Sequence, residues 1–237
     1  MMSHLILVRH GQSIWNLENR FTGWVDVELS EKGKMEASVA GDLIKALDIK
    51  VDYIYTSYLR RAIDTLDIIL KKNNITNKVV IKAWELNERH YGALTGLNKD
   101  EMKKKLSEEK VHELRRSWDI PPKKLNRDSQ YHPLNNDIYK DVPRENIPDT
   151  ESLKDTYNRV IPYYKKIMSK NKFENTLISA HGNSIRALCK YLFNLDNNSV
   201  SKLEIPTGNP LLIQLENSVV ISARYLDPTR AKDLIVF

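Results

Sequence analysis

Leu5-Ile6-Leu7-Val8-Arg9-His10-Gly11 is answered far downstream by Thr176-Leu177-Ile178-Ser179-Ala180-His181-Gly182. Each is a short apolar run of the kind that forms a buried strand, closed by a His-Gly pair. Between them, elements alternate. Ser30 can cap a helix in which Val39, Leu43, Ile44 and Leu47 recur at helical spacing, and Val51 to Tyr55 reads as the next strand. A helix carrying Leu59, Ile63, Leu66 and Leu70 follows, then a third strand at Val79-Val80-Ile81. Asn98, with Glu101 three residues on, has a capping-box-like spacing for a short helix. Helical spacing returns from Leu153 to Ile167, where Pro162 can introduce a kink. The segment from Ile185 to Phe193 reads as a helix, and Leu211 to Leu215 with Val219 to Ala223 as a closing hairpin. This alternation predicts one α/β domain over residues 1–237: a three-layer α/β/α sandwich around a mainly parallel sheet. Residues 118–148 break the pattern, punctuated by Pro121-Pro122, Pro133, Pro143 and Pro148, and are the expected cover for a site.

Composition narrows the class of function. Of 237 residues, 41% are apolar and 29% charged, which excludes low-complexity disorder. No apolar run approaches the ~20 residues of a membrane helix, and the opening residues lack the form of a secretory signal. Cys189 is the only cysteine, so no intrachain disulfide can form, and a cytoplasmic protein with no membrane partner is expected. The net charge of +6 comes from lysines scattered among acids, as on a solvated surface, so nucleic acid is not the expected partner. The six histidines and single cysteine show no zinc spacing, and no metal is expected.

In open α/β sheets, ligands bind beyond the carboxyl ends of the strands. A lone histidine there is more often structural. Two His-Gly pairs at two strand ends, the first beside Arg9, point instead to imidazoles facing one crevice, with glycines that let a ligand approach the backbone closely. Ser57 can cap the second helix and place Arg60 and Arg61 in its first turn, where cations oppose the helix dipole unless an anion binds. Glu88, in Leu86-Asn87-Glu88-Arg89-His90-Tyr91-Gly92, offers a carboxylate for moving a proton. A neutral His10 could accept a phosphoryl group while Arg9, Arg61 and His181 stabilise its oxygens.

A longer set of residues then carries a resemblance. Leu7 to Ser13, Trp15-Asn16, Asn19-Arg20-Phe21-Thr22-Gly23-Trp24, Leu86 to Gly92, Gly96-Leu97-Asn98-Lys99, Arg115-Arg116, Ala180 to Ser184 and Ile205-Pro206-Thr207-Gly208 resemble the cofactor-dependent phosphoglycerate mutases of the histidine phosphatase superfamily. The resemblance runs in order over nearly the whole chain. It implies interconversion of 3-phosphoglycerate and 2-phosphoglycerate in glycolysis and gluconeogenesis, through a phosphohistidine at His10 and 2,3-bisphosphoglycerate as primer and intermediate. Matched by position, Arg9, Arg61 and His181 hold the transferring phosphoryl group and Glu88 is the acid/base. Ser13, Asn16, Thr22, Gly23, Gly182 and Asn183 contact phosphoryl or substrate oxygens, while Tyr91, Lys99, Arg115 and Arg116 hold the rest of the small three-carbon acid. A homodimer or higher homo-oligomer is implied by the resemblance alone.

Two departures stand out. Gln12 replaces the glutamate found in many members, and the close through Asp227-Pro228-Thr229-Arg230 to Leu234-Ile235-Val236-Phe237 is shorter than the tail implicated in closing the site. That ending is expected to alter the balance between mutase and phosphatase activity. The competing readings are a metal-independent histidine phosphatase acting on small phosphomonoesters, which would not need Lys99, Arg115 and Arg116, and a polyanion-binding protein with an idle pocket.

Overall fold

The computed structural model describes residues 2–171 and 174–231. Its centre is a six-stranded sheet of β1 (Met2–Arg9), β2 (Tyr53–Thr56), β3 (Val80–Lys82), β4 (Thr176–Ala180), β5 (Leu211–Glu216) and β6 (Val219–Tyr225), in the order β3-β2-β4-β1-β5-β6. The first four strands run parallel, whereas β5 pairs antiparallel with β1 and β6 antiparallel with β5. The closing hairpin turns at Asn217 and Ser218, both at positive φ (50° and 69°), a turn whose twist matches that of the strands.

The helices are α1 (Ile14–Leu17), α2 (Glu31–Lys45), α3 (Arg60–Lys72), α4 (Lys99–Leu106), α5 (Glu108–Arg116), α6 (Leu153–Lys170), α7 (Gly182–Leu192) and α8 (Asn197–Lys202). Alternation along β1 decides which of them cover which face. Leu5 and Leu7 pack with Val160, Ile161 and Tyr164 of α6 and with Ile185 and Leu188 of α7. Ile6 and Val8 point the other way, into Ala40 and Ile44 of α2 and Leu66 and Ile69 of α3. Two apolar cores on opposite sides of one sheet make the expected α/β/α sandwich.

Several boundaries differ from the sequence reading. β1 begins at Met2 rather than Leu5, because the hairpin's β5 extends its ladder to the Met2–Glu216 pair. Ser57 does not cap α3. Leu59 occupies the cap position, and an outside carboxylate supplies the acceptor: Asp26 Oδ1 takes the Arg60 N–H at 2.7 Å. The predicted cap at Ser30 does accept the Gly33 N–H (3.1 Å), and Asn98 accepts those of Asp100 and Glu101. Pro162 lies inside an uninterrupted α6.

Residues 118–148 form short 3₁₀ turns at Pro133–Asn135, Asp137–Tyr139 and Arg144–Asn146. The stretch carries its own apolar cluster: Tyr139, Val142 and Ile147 pack on Trp24 and Leu59, and the Tyr139 hydroxyl donates to the Trp24 carbonyl. The stretch braces the loop after α1 from behind. The apolar ending Leu234 to Phe237 lies outside the described residues.

Gly11 shows why the His-Gly step tolerates no side chain. A Cβ there would sit 2.1 Å from the Gly33 carbonyl oxygen, and one on Gly33 would sit 2.0 Å from that of Gln12. The close approach made by Gly11 is thus to the backbone of α2, not to a ligand as the sequence suggested. Gly11→Ala must push two main chains apart, and a loss of at least about 2 kcal/mol is expected in urea unfolding. Unchanged stability would show that the contact can relax.

Candidate active site

Parallel pairing puts Arg9 opposite Ala180, so β1 and β4 end level, and the His10 N–H extends the ladder to the Ala180 carbonyl at 3.0 Å. The chain then leaves β1 toward α2 on one face and β4 toward α7 on the other. His10 and His181 meet in the crevice between, with ring centroids 5.0 Å apart. Both are buried.

The protonation state of His10 follows from its contacts. Nδ1 lies 2.7 Å from the Gly11 carbonyl, which can only accept, so Nδ1 carries the proton. Nε2 is then the bare lone pair, and it receives Arg61 Nε–H at 3.3 Å. Burial, together with the cations of Arg61 and Arg9, holds the imidazole well below its usual pKa, so it stays neutral. Burial and Arg61 depress His181 likewise. Its Nε2 shares a 2.7 Å hydrogen bond with the Ser57 hydroxyl, which also accepts the Leu59 N–H.

Arg61 is locked in place. Its NH1 and NH2 donate to the Val25 and Gly23 carbonyls at 2.8 Å, and burial lowers its pKa to about 10, still cationic at neutral pH. Arg60, beside it, turns outward to Asp26 and Glu28 and takes no part. Arg9 NH1 donates to the Ile205 carbonyl at 2.6 Å, but its Nε is buried without a protein partner. Thr22 Oγ1 is equally orphaned. Buried polar atoms are seldom left unpaired, so two of them on the wall of one cavity mark the place of a polar ligand.

Glu88 is 8% exposed, and its Oε1 accepts the N–H groups of Arg89 (2.8 Å) and Asn183 (3.1 Å). That leaves Oε2 free of protein hydrogen bonds among the described residues, near the space that a side chain at Gly182 would enter. Across the cavity, Lys99 stands at the first turn of α4 and Arg115 in the last turn of α5. Burial and then the charges of Arg115 and Arg9 lower Lys99 to about 8. The cavity is thus walled by cations and one carboxylate, a composition that suits a small, multiply charged anion.

Of the residues read from the sequence, Arg9, His10, Asn16, Thr22, Gly23, Arg61, Glu88, Tyr91, Lys99 and Arg115 line this cavity. Others stand one layer back. Ser13 caps α1 and accepts the Asn16 N–H, and Asn183 donates to the Tyr91 hydroxyl at 3.0 Å. Arg116 is not among the residues lining the cavity; its guanidinium donates to Glu204 (2.6 Å) and the Leu203 carbonyl (3.2 Å). None of residues 118–148 is among those lining the cavity.

Arg20 and Phe21, quoted only as part of a motif, do line it, and Ser57, Arg89, Glu151 and Arg159 build its support. Only the buried partners of these residues reveal them. A larger groove between the ends of α2 and α3 collects no histidine, cysteine or serine.

Comparison with known proteins agrees with this geometry. The model of the histidine phosphatase superfamily (branch 1) matches residues 5–132 and 123–224. A 2,3-bisphosphoglycerate-dependent phosphoglycerate mutase from Pelagibacter ubique is 62% identical over the whole length of both chains. This chain belongs to that family. A mutase of the same name from Maricaulis maris is 48% identical, covering 98% of each chain. Among solved structures, phosphoglycerate mutase from Bacillus anthracis superposes with a TM-score of 0.67 at 24% identity, covering 92% of this chain and 90% of that one. A mycobacterial glucosyl-3-phosphoglycerate phosphatase gives 0.69 at 23% identity, covering 89% and 92%. Those two likenesses establish the fold.

Lys99 provides a direct check. It is charged below about pH 8 and neutral above, so its attraction for an anionic substrate fades as pH rises through that value. KM is expected to climb between pH 7.5 and 9 in the parent enzyme and to stay high and flatter in Lys99→Gln. An unchanged profile in the variant would remove Lys99 from the binding surface.

Proposed function

We propose that the chain interconverts 3-phosphoglycerate and 2-phosphoglycerate through a phosphohistidine at His10, with 2,3-bisphosphoglycerate as primer. The observation that carries this reading is the neutral His10 whose unprotonated Nε2 faces a cavity lined by Arg9, Arg61, Lys99 and Arg115, with Glu88 as its one carboxylate.

The orphaned Arg9 Nε and Thr22 Oγ1, with Asn16 and Arg61, fit a phosphoryl group, while Lys99 and Arg115 fit the more distant charges of a bisphosphorylated acid. When bound, 2,3-bisphosphoglycerate supplies the phosphoryl group that primes His10. Nε2 would be the atom that accepts the phosphoryl group as the donor P–O bond breaks, and Glu88 would deliver a proton to the leaving oxygen. In the return direction Glu88 takes the proton of the attacking hydroxyl as the N–P bond breaks. Because the transition state is loose, most of the work is in-line positioning and neutralisation of the equatorial oxygens, which Arg9, Arg61 and His181 supply. The Gly11 carbonyl takes up the positive charge that develops at Nδ1–H.

The substrates on this reading are small phosphorylated three-carbon acids, and the reaction belongs to glycolysis and gluconeogenesis in the cytoplasm. Among the described residues no helix is long and apolar enough to cross a membrane.

The test compares His10→Ala and Glu88→Gln in a coupled assay for 2-phosphoglycerate formation, with and without added 2,3-bisphosphoglycerate. Mass spectrometry for an acid-labile phosphoryl adduct runs in parallel. His10→Ala is expected to lose both adduct and turnover. Glu88→Gln is expected to bind substrate and turn over at least about 10²-fold more slowly. Steady phosphate release from many phosphomonoesters without isomerisation would replace this reading with hydrolysis.

A further inference from the structure

Neither Glu88 nor Arg115 is held in place by its own element alone. The segment carrying Glu88 is a loop between two 3₁₀ turns, Trp84–Leu86 and Gly92–Leu94, and Arg115 sits in the last turn of a nine-residue helix. Both are tied to the same residue, Glu151, just ahead of α6.

Glu151 is 3% exposed and uses its side chain and its main chain in different directions. The carboxylate pairs with Arg159, Oε1 with Nε at 2.6 Å and Oε2 with NH2 at 2.9 Å, and Oε2 also accepts the His90 N–H at 2.8 Å. Arg159 donates in turn to the carbonyls of Glu85 (2.7 Å), Asn87 (3.0 Å) and Glu88 (2.9 Å). One guanidinium therefore fixes the backbone on which the Glu88 carboxylate is mounted. The Glu151 carbonyl faces the other way and accepts Arg89 Nε at 2.7 Å. Arg89 is fully buried, and its terminal nitrogens donate to the carbonyls of Leu114 (2.9 Å), Arg115 (3.1 Å) and Ile120 (3.3 Å). A cation on the free carbonyls at the end of α5 also satisfies the negative end of the helix dipole.

We propose that Glu151, Arg159 and Arg89 form a positioning clamp with two separable arms. The Arg159 arm sets the placement of Glu88 for proton transfer, the Arg89 arm sets the placement of α5 and Arg115 for substrate binding, and Glu151 joins them. None of the three lines the cavity. The proposal rests on the proton-transfer role assigned to Glu88 above. Buried ion pairs add little net stability against the cost of desolvating them, so a positioning role gives this one a use that stability does not. Sub-ångström placement of a proton donor matters steeply for rate.

The experiment measures kcat, KM and the solvent deuterium isotope effect on kcat for Arg159→Lys, Arg89→Lys and Glu151→Gln in the full-length enzyme. Variants are first checked for native circular dichroism. Arg159→Lys keeps the charge but loses the fork that reaches three carbonyls. It is expected to lower kcat on the order of tenfold and enlarge the isotope effect, with KM within about threefold of the parent. Arg89→Lys is expected to do the reverse, raising KM on the order of tenfold with kcat within about threefold. Glu151→Gln, which keeps an acceptor for the His90 N–H, is expected to move both constants, and it carries the test if either arginine variant fails to fold.

Folded variants with parental kinetics, or arginine variants that change kcat and KM in the same proportion, would overturn the clamp. A parental isotope effect and rate in Glu88→Gln would instead overturn the role given to Glu88, which separates that failure from this one.

Discussion

The hydrogen bond from His10 Nδ1 to the Gly11 carbonyl is the contact on which the rest of the site depends. It is made between neighbouring residues, so the turn after β1 must hold one shape. Gly33 of α2 presses on Gly11 so closely that no Cβ fits, and Thr65 Oγ1 accepts the Gly11 N–H at 3.0 Å. Two helices on one face of the sheet thereby fix a tautomer. With Nδ1 protonated, the free nitrogen of the ring points to Arg61, and the ring presents a lone pair rather than a charge. A protonated His10 could not attack phosphorus, and burial among arginines ensures that it is not protonated.

The same crowding of cations needs an explanation in energy. Arg9, Arg61, Lys99 and Arg115 face one cavity with a single carboxylate among them, and burial lowers the pKa values of Arg9, Arg61 and Lys99. Such an arrangement is unfavourable without a ligand and strongly attractive to a polyanion, because charge interactions grow as water is excluded. The two arginines nearest His10 are attached to backbone carbonyls: Arg61 to Gly23 and Val25, Arg9 to Ile205. Carbonyls orient a guanidinium without neutralising it, so the charge stays available to substrate. Glu204 and Asp26 hold Arg116 and Arg60, neither of which lines the cavity, whereas Arg20, held by Glu18 and the Gly96 carbonyl together, does.

Much of this was legible in the chain because chemistry and topology coincide. The two His-Gly pairs sit at the carboxyl ends of parallel strands, so their convergence followed from the α/β pattern alone. Arg61 was legible from its awkward position at a helix N-terminus, and the cap of α4 from Asn98. What escaped the reading has no local signature. Ser57 has the composition of a cap, yet the hydroxyl serves His181 while Asp26, distant in sequence, serves the helix. Arg89, Glu151 and Arg159 look like surface charges in the sequence, and only the bonds between elements far apart in the chain show them to be buried. The proline-rich stretch read as a cover because it lacks regular structure. That its Tyr139, Val142 and Ile147 make a small core with Trp24 is a tertiary fact that spacing does not encode.

The claim that His10 is a neutral, Nδ1-protonated imidazole with a bare Nε2 can be measured without substrate. Nitrogen-15 NMR of imidazole-labelled enzyme, followed from about pH 8 to about pH 5.5, distinguishes protonated from bare ring nitrogens. His10 is expected to keep Nδ1 protonated and Nε2 unprotonated across that range, because burial and then the cations of Arg61 and Arg9 disfavour its charged form. A His10 that titrates near 6.5, or one with the proton on Nε2, would contradict it.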